Sequence, residues 1–330
     1  TFRESPDAAR RVCSLLGTSR LLGDILLHNP ELVADLPDPQ ALTLASHDDL
    51  VAGAVAVMGW RADLGAKREG LRRWKDRHLL GIAARDLFGF AGIIDVERDL
   101  SMLAESCLQA TLDTHVELVR GSLEVADDEP DTGVRFAVIG LGRLGAAELG
   151  YGSDLDLLFV YDGDGRGATE EAGRRALSLL RFLGGDTPAQ RVWQVDLDLR
   201  PEGRQGVLAR RVDGYLQYWA SYAEPWERMA MTRARVVAGD RQLGEDLLDA
   251  LAPFVWGRGL DDDDRRQIRR SKARMENERI PTGEDPRFHL KLGRGSLSDV
   301  EFATQLLQLE TGTRATSTLA ALDALASGGH

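Results

Sequence analysis

A chain of 330 residues is long enough for two or three packed cores, while a formal net charge of −12 excludes the basic groove that a nucleic-acid template requires. No run approaches the roughly 20 apolar residues of a membrane span, no secretory signal pattern stands at the start, and the six histidines include no pair at zinc-ligand spacing. Cys13 and Cys107 lie far apart in helical stretches, so both are expected as buried free thiols in a reducing, cytoplasmic setting.

Residues 1–125 read as a helical domain. Pro30, Pro37 and Pro39 punctuate the loop between its opening helices. Ser46 is expected to cap a helix with Leu50, Ala54, Val57 and Met58 on one face. Asp95 is expected to cap another, in which Leu100, Leu103, Cys107, Leu112, Val116 and Val119 recur at helical spacing. These helices carry no recognisable chemistry, and His78 is placed at a surface or interface. The acidic, Pro- and Gly-containing stretch Val125–Gly133 reads as a linker.

A catalytic domain is expected over residues 126–245, centred on Phe136–Asp162. Two short apolar strands, Phe136–Ile139 and Leu157–Tyr161, flank a run containing Gly140, Gly142, Gly145, Gly150 and Gly152. The spacing Gly140, Gly142, Gly145 with Asp162 downstream approaches a dinucleotide-binding fingerprint. The connection after Arg143 is too short for a parallel crossover helix, however, and two acids stand where that fold requires plain apolar strand. Those acids suggest a different chemistry. Strand period puts Asp154 and Asp156 on one face, with Leu155, Leu157 and Phe159 on the other. Paired carboxylates suit a hard divalent cation, which completes its shell with phosphate oxygens. The preceding glycine turn, with Ser153, can offer bare N–H groups to a phosphate. The predicted strand Val192–Arg200 turns Gln194, Asp196, Asp198 and Arg200 to one side, so Asp196 is the candidate third carboxylate. Three acids from two strands, holding two metals about 3.5–4 Å apart, would support in-line displacement at phosphorus.

Glu170–Leu183 is predicted as the helix joining these strands, with Ala172, Ala176, Leu179, Leu180 and Leu183 inward. The order suits a small mixed sheet backed by helices. Tyr215, Tyr218, Trp219, Tyr222 and Trp226 recur at spacings of three and four, a stripe read as core packing before adenine stacking. Arg233 and Arg235 alternate in a strand-like segment and either face the cleft or are solvated. Residues 246–330 return to helical character as a C-terminal bundle, with Asp261–Asp264 as an exposed, acid-rich helix start and Leu306, Leu307 and Leu309 after Asp299 and Glu301. Asp299 and Glu301 are read as structural before shaping the cleft or the partner surface. The chain starts at Thr1 and stops at Gly328-Gly329-His330, as a piece of a longer protein would.

The pattern Gly-x-Gly-Arg-Leu-Gly-x-x-Glu-Leu-Gly-Tyr-x-Ser-Asp-Leu-Asp-Leu (140–157) followed by Val-Asp-x-x-Leu-Arg-Pro-x-Gly (195–203) resembles the polymerase-β-like nucleotidyltransferases. More closely, it resembles the glutamine synthetase adenylyltransferases, or adenylyl-removing enzymes. Trp226-Glu227-Arg228, the run Thr232–Asp240, and the stretch Lys291–Phe302 with Asp299 and Glu301 fit the same family, and the likeness extends from about Leu71 to Leu309. Members carry two homologous halves, one adding AMP to a tyrosine of glutamine synthetase and one removing it by phosphorolysis. The wording at 148–157 and Lys75–Asp86 is more similar to the adding, C-terminal half.

The resemblance implies an α+β fold with a small mixed-sheet nucleotidyltransferase core between helical bundles. It implies Mg²⁺ or Mn²⁺ at Asp154, Asp156 and Asp196, and ATP on Gly140, Gly142, Arg143, Gly145 and Ser153. Glutamine synthetase is the implied protein substrate, with a PII-type signalling protein possible as a partner of the longer chain. Two positions depart from the pattern. Arg143 stands where many members have lysine, and Asp198 stands where the adding half often has arginine. Phosphorolytic removal of AMP, or nucleotide binding without turnover, are the alternatives.

Overall fold

A computed structural model describes residues 6–35, 43–61, 63–114, 133–165, 167–281 and 283–330. Pro37, Pro39, Val116, Val119 and residues 125–132 of the expected linker lie outside the described residues. The chain opens with helices α1 (Pro6–Thr18), α2 (Arg20–His28), α3 (His47–Gly59), α4 (Leu64–Leu87) and α5 (Ile93–Asp113). Ser19, Ser46 and Asp63 cap α2, α3 and α4, each side chain accepting a first-turn N–H. In α5 the cap position belongs to Gly92, and Asp95 lies inside the first turn, where its charge meets the helix dipole instead of capping.

Leu50, Ala54 and Met58 on α3 and Leu100, Leu103 and Cys107 on α5 are buried as their spacing predicts, while Val57 and Leu112 are half-buried. One expectation fails here. Cys13 is exposed, because α1 buries Val12 and Leu15, and the next residue after Val12 is turned about 100° away. His78 is half-buried: its ring lies 4.2 Å from the Trp74 ring and its Nδ1 is 2.8 Å from the Trp74 carbonyl. Burial lowers its pKa.

The sheet follows, with β1 (Arg135–Gly140), β2 (Leu155–Asp162), β3 (Val195–Asp196), β4 (Ala209–Arg211) and β5 (Arg235–Gly239). A single turn of helix, α6 (Gly142–Gly145), lies between β1 and β2, and α7 (Ala168–Gly184) crosses from β2 to β3. The strand order is β3-β2-β1-β5, with β4 also pairing β2. β1 is antiparallel to β2 and β5, whereas β3 and β4 run parallel to β2. The sheet is therefore mixed, and the fold is α+β. After it come α8 (Val212–Ser221), α9 (Pro225–Met231), α10 (Arg241–Trp256), α11 (Asp262–Glu278), α12 (Leu297–Thr311) and α13 (Thr318–Ser327). Among the described residues no helix is long and apolar enough to cross a membrane.

Strand period divides the core in two. Phe136, Val138, Leu157, Phe159 and Tyr161 face α2–α5 and α7, while Ala137, Ile139, Leu158 and Val160 face Tyr215, Trp219, Leu243, Leu247, Leu251 and Ile268. The sheet is thus a wall between two helical layers. Tyr215 donates its hydroxyl to the Phe159 carbonyl at 3.2 Å, so the front of the aromatic stripe is packing. The stripe does not continue, since α8 ends at Ser221 and Tyr222 is exposed.

Two further expectations need correction. The strand predicted for Val192–Arg200 is two residues long. Arg200 folds back and donates to the carbonyls of Leu197, Arg204 and Gly206, and Glu202 and Gly203 adopt positive φ, so the chain turns where the alternation promised extension. In the acidic run Asp261–Asp264, Asp261 and Asp264 form a capping box, but Asp264 is buried against Arg258 and Arg228 instead of solvated.

Candidate active site

Gly140, the last residue of β1, pairs with Leu157, so the β1–β2 connection must reverse within the residues before Asp156. Leu141 donates its N–H to the Asp156 carbonyl at 2.9 Å, which brings the glycine run alongside that strand. Gly142 has φ +51°, and a Cβ there would overlap the Asp156 carboxylate. Glycine is the residue that lets the backbone come so close. Gly140 and Gly145 serve packing instead. A Cβ on Gly140 would stand 2.7 Å from Val237 Cγ1, and one on Gly145 would strike the carbonyls of Arg233 and Gly140. Of the three expected loop glycines, only Gly142 meets an aspartate.

The far end of the connection is closed by Ser153. Its hydroxyl accepts the Gly150 N–H at 3.3 Å, and its own N–H donates to the Gly150 carbonyl at 3.2 Å. The Arg143 guanidinium lies over this turn, for a Cβ on Gly150 would be 3.5 Å from its Nη1 and 3.4 Å from Ser153 Oγ. Arg143 Nε is 3.7 Å from Glu301 Oε1.

The acids come together through strand register. β2 and β3 run parallel with Leu155 opposite Val195 and Asp156 opposite Asp196. Leu155 donates to the Gln194 carbonyl at 2.8 Å, continuing the ladder. Asp154 precedes this pair by one strand repeat. Burial pushes the Asp156 pKa up to about 6, Asp196 and then Asp154 push the same way, and Lys291 and Arg279 oppose them. The sequence motif drew attention to Lys291 without a role. Arg279 gave no signal, since it is the C-cap of α11, more than 100 residues from Asp156. Asp198 does not join the acids: Arg204 binds its carboxylate at 2.9 and 3.2 Å and holds its pKa down, while its N–H donates to Asp196 Oδ1 at 2.7 Å.

Among the described residues no three His, Cys, Asp or Glu side chains form a ready-made metal cage. A structural zinc would require one. Mg²⁺ asks for less, one or two carboxylates completed by water and phosphate oxygens. Oxygen-only donors, in which burial first and then Asp196 and Asp154 push the Asp156 pKa up to about 6, are a set that such a cation relieves. The residues present therefore fit a hard divalent ion.

Arg233 is buried and Arg235 half-buried, and both are engaged by other groups of the chain. Arg235 donates to the carbonyls of Gly145 and Leu144 at 3.1 and 2.9 Å and pairs with Glu105, tacking the loop to β5 and α5. Arg233 is 4 % exposed and contacts Thr318 Oγ1 at 2.6 Å, Glu301 at 3.4 Å and Glu148 at 3.9 Å. Arg233→Met should leave Glu148 and Glu301 without the buried cation they share and lower unfolding stability by about 3 kcal/mol. Denaturant titration checks this, and an unchanged midpoint would show the network to be ornamental.

Glu301 contacts both Arg233 and Arg143, and so reaches the loop. Asp299 pairs with Lys272 at 2.7 Å and accepts from the Gly295 N–H, away from the acids. Two cavities among the C-terminal helices, of about 430 Å³ beside Trp256 and about 270 Å³ beside Phe302, are lined by none of the three aspartates.

Residues 9–250 match the family described as glutamate-ammonia ligase adenylyltransferase, and residues 264–330 match the family described as GlnD PII-uridylyltransferase. The chain is 40 % identical over 344 residues to the bifunctional glutamine synthetase adenylyltransferase/adenylyl-removing enzyme of Mycobacterium avium, covering 100 % of this chain and 34 % of the relative. The proteins of the same name from Mycobacterium tuberculosis and Streptomyces avermitilis are each 38 % identical, over 98 % and 99 % of this chain and 33 % and 35 % of their own lengths. The chain spans about a third of the length of the curated relatives it matches.

Proposed function

The chain belongs to the glutamate-ammonia ligase adenylyltransferase family, and from that premise we propose that its aspartate cluster transfers AMP from ATP to a tyrosine hydroxyl of glutamine synthetase. The observation that carries this reading is the register pairing of Asp156 with Asp196 beside the Gly142 backbone. The mixed sheet is then a polymerase-β-like nucleotidyltransferase core, with residues 126–245 as the catalytic domain between helical segments 1–125 and 246–330. Asp154, Asp156 and Asp196 hold Mg²⁺ or Mn²⁺, which when bound neutralises charge on the phosphates.

The remaining steps fall to the chain's own groups. The Gly142 backbone and the Ser153 hydroxyl orient the triphosphate, and Arg143 supplies a guanidinium to it. Gly140 and Gly145 let the loop pack closely enough to stand there. Asp196 accepts the proton of the tyrosine hydroxyl as its oxygen attacks the α-phosphorus. The new bond joins tyrosine oxygen to AMP, the bond to the β-phosphate oxygen breaks, and pyrophosphate leaves. Positioning and charge neutralisation supply the acceleration, with no covalent enzyme intermediate. A PII-type signalling protein is the regulatory partner of the longer protein, a reading supported by the family name matched at residues 264–330.

The test is mass spectrometry of unmodified glutamine synthetase after incubation with this chain, ATP and Mg²⁺. One AMP gained per subunit is the expected result. Loss of AMP as ADP from adenylylated synthetase with phosphate, and no gain in the first reaction, would replace the adding reaction by the removing one.

A further inference from the structure

Glu301 belongs to α12, 145 positions after Asp156, yet one of its carboxylate oxygens faces two arginines of the loop region. Oε1 lies 3.7 Å from Arg143 Nε and 3.4 Å from Arg233 Nη1. The two arginines differ in freedom. Arg233 is buried and fixed by Thr318 and Glu148. Glu148 in turn accepts from Thr318 Oγ1 at 2.8 Å and from the Thr318 N–H, and its own N–H donates to the Arg143 carbonyl at 2.8 Å. Glu301 is therefore held against a buried, multiply bonded cation on one side and directs its charge at a more exposed one on the other. The Arg143 and Glu301 side chains are 27 % and 26 % exposed, and 3.7 Å is a charge contact, not a close hydrogen bond. Such a pair adds little to folding stability. What it does is restrict a long side chain that would otherwise sample many rotamers above the 150–153 turn.

We propose that Glu301 is a positioning residue for nucleotide binding: anchored by Arg233, it holds the Arg143 guanidinium over the Gly150–Ser153 turn before a phosphate arrives. This rests on the reading of Arg143 and Ser153 as triphosphate contacts. The helices α12 and α13 then belong to the nucleotide site through Glu301 and Thr318, although no aspartate of the site comes from them.

The experiment is calorimetric titration of the whole chain with MgATP, run on the unaltered protein, Glu301→Gln, Arg143→Met and the double variant. Gln keeps an oxygen for Arg233 to donate to and removes the charge that holds Arg143. Ordering one rotamer-rich side chain corresponds to up to about tenfold in affinity, so Glu301→Gln should weaken MgATP binding about five- to tenfold. Arg143→Met should weaken it at least as much, and Glu301→Gln should add nothing in the Arg143→Met background. Unchanged or tighter binding by Glu301→Gln, or an equal loss in the double variant on top of Arg143→Met, overturns the proposal. Should Glu301→Gln fail to fold, Arg143→Met decides alone, because undiminished affinity there removes any role for its anchor. MgATP binding by the unaltered chain without AMP transfer would defeat the proposed reaction and leave the positioning claim intact; absence of binding would defeat both.

Discussion

Asp156→Asn is expected to lower AMP transfer by roughly 10³-fold, the scale of removing one preorganised electrostatic group, while leaving the protein as stable as before or more so at pH 7.5. The second half of that expectation separates a functional acid from a structural one. Asp156 is half-buried, stands opposite Asp196 in the β2–β3 register and follows Asp154, and its pKa is pushed up to about 6. A carboxyl group whose folded pKa exceeds its unfolded value of about 3.9 binds its proton more tightly in the native state. Stability from this group is therefore fully present below about pH 4 and is lost as pH rises through about 6. At neutral pH, without a cation, the ionised carboxylate works against the fold by as much as roughly 3 kcal/mol, at 1.36 kcal/mol per pKa unit.

Asparagine keeps the shape and removes the charge, so in chelator the variant should melt at or above the unaltered protein at pH 7.5, and the difference should vanish near pH 4. Melting curves at pH 4, 5, 6 and 7.5 beside the transfer assay test both halves. A variant that retained transfer, or one that melted well below the unaltered protein at neutral pH, would make Asp156 a structural acid.

What could be read from the sequence here was what depends on neighbours along the chain. Apolar runs between glycine turns located β1 and β2, strand period put Asp154 and Asp156 on one side, and the helix between two acid-bearing segments suited a small mixed sheet, whose parallel β2–β3 register sets Asp196 beside Asp156. The failures share a different cause. Arg200 is the local exception: it looked like one more residue of a strand, but its guanidinium donates to the carbonyls of Leu197, Arg204 and Gly206 on both sides of it, and this turn follows a β3 of two residues and sets Asp198 against Arg204. Arg233 alternated with Arg235 as a solvated or cleft-facing pair would, and nothing local distinguishes a buried cation whose partners, Glu148, Glu301 and Thr318, lie about 70 to 85 residues away on either side. Lys291 and Arg279 act on Asp156 from more than 100 residues further along the chain. Side-chain networks that join distant elements have no period, and so leave no trace in a pattern of spacings.

The loop glycines offer the second large effect, because two of them that look alike in sequence play different parts. In Gly145→Ala the new methyl group meets backbone, the carbonyls of Arg233 and Gly140, and neither can move without separating β5 from β1 or unwinding the turn. Overpacking against fixed atoms costs typically 1–3 kcal/mol, occasionally more, so this variant should lose about 3 kcal/mol of stability. In Gly142→Ala the obstacle is the Asp156 carboxylate, a side chain that can rotate aside, together with a φ of +51° that alanine tolerates at about 1–2 kcal/mol. Yielding at Asp156 preserves the fold and spoils the site. A displacement of about 1 Å in a reacting array is worth about 10²-fold, so Gly142→Ala should lose at least that much transfer while melting well above Gly145→Ala. The two measurements must be read together, as transfer per folded molecule against melting temperature. If both alanine variants fell on one line relating activity to stability, Gly142 would be another packing glycine and its approach to Asp156 an accident of the turn. If Gly142→Ala fell far below that line, the carboxylate it displaces would be the group on which transfer depends.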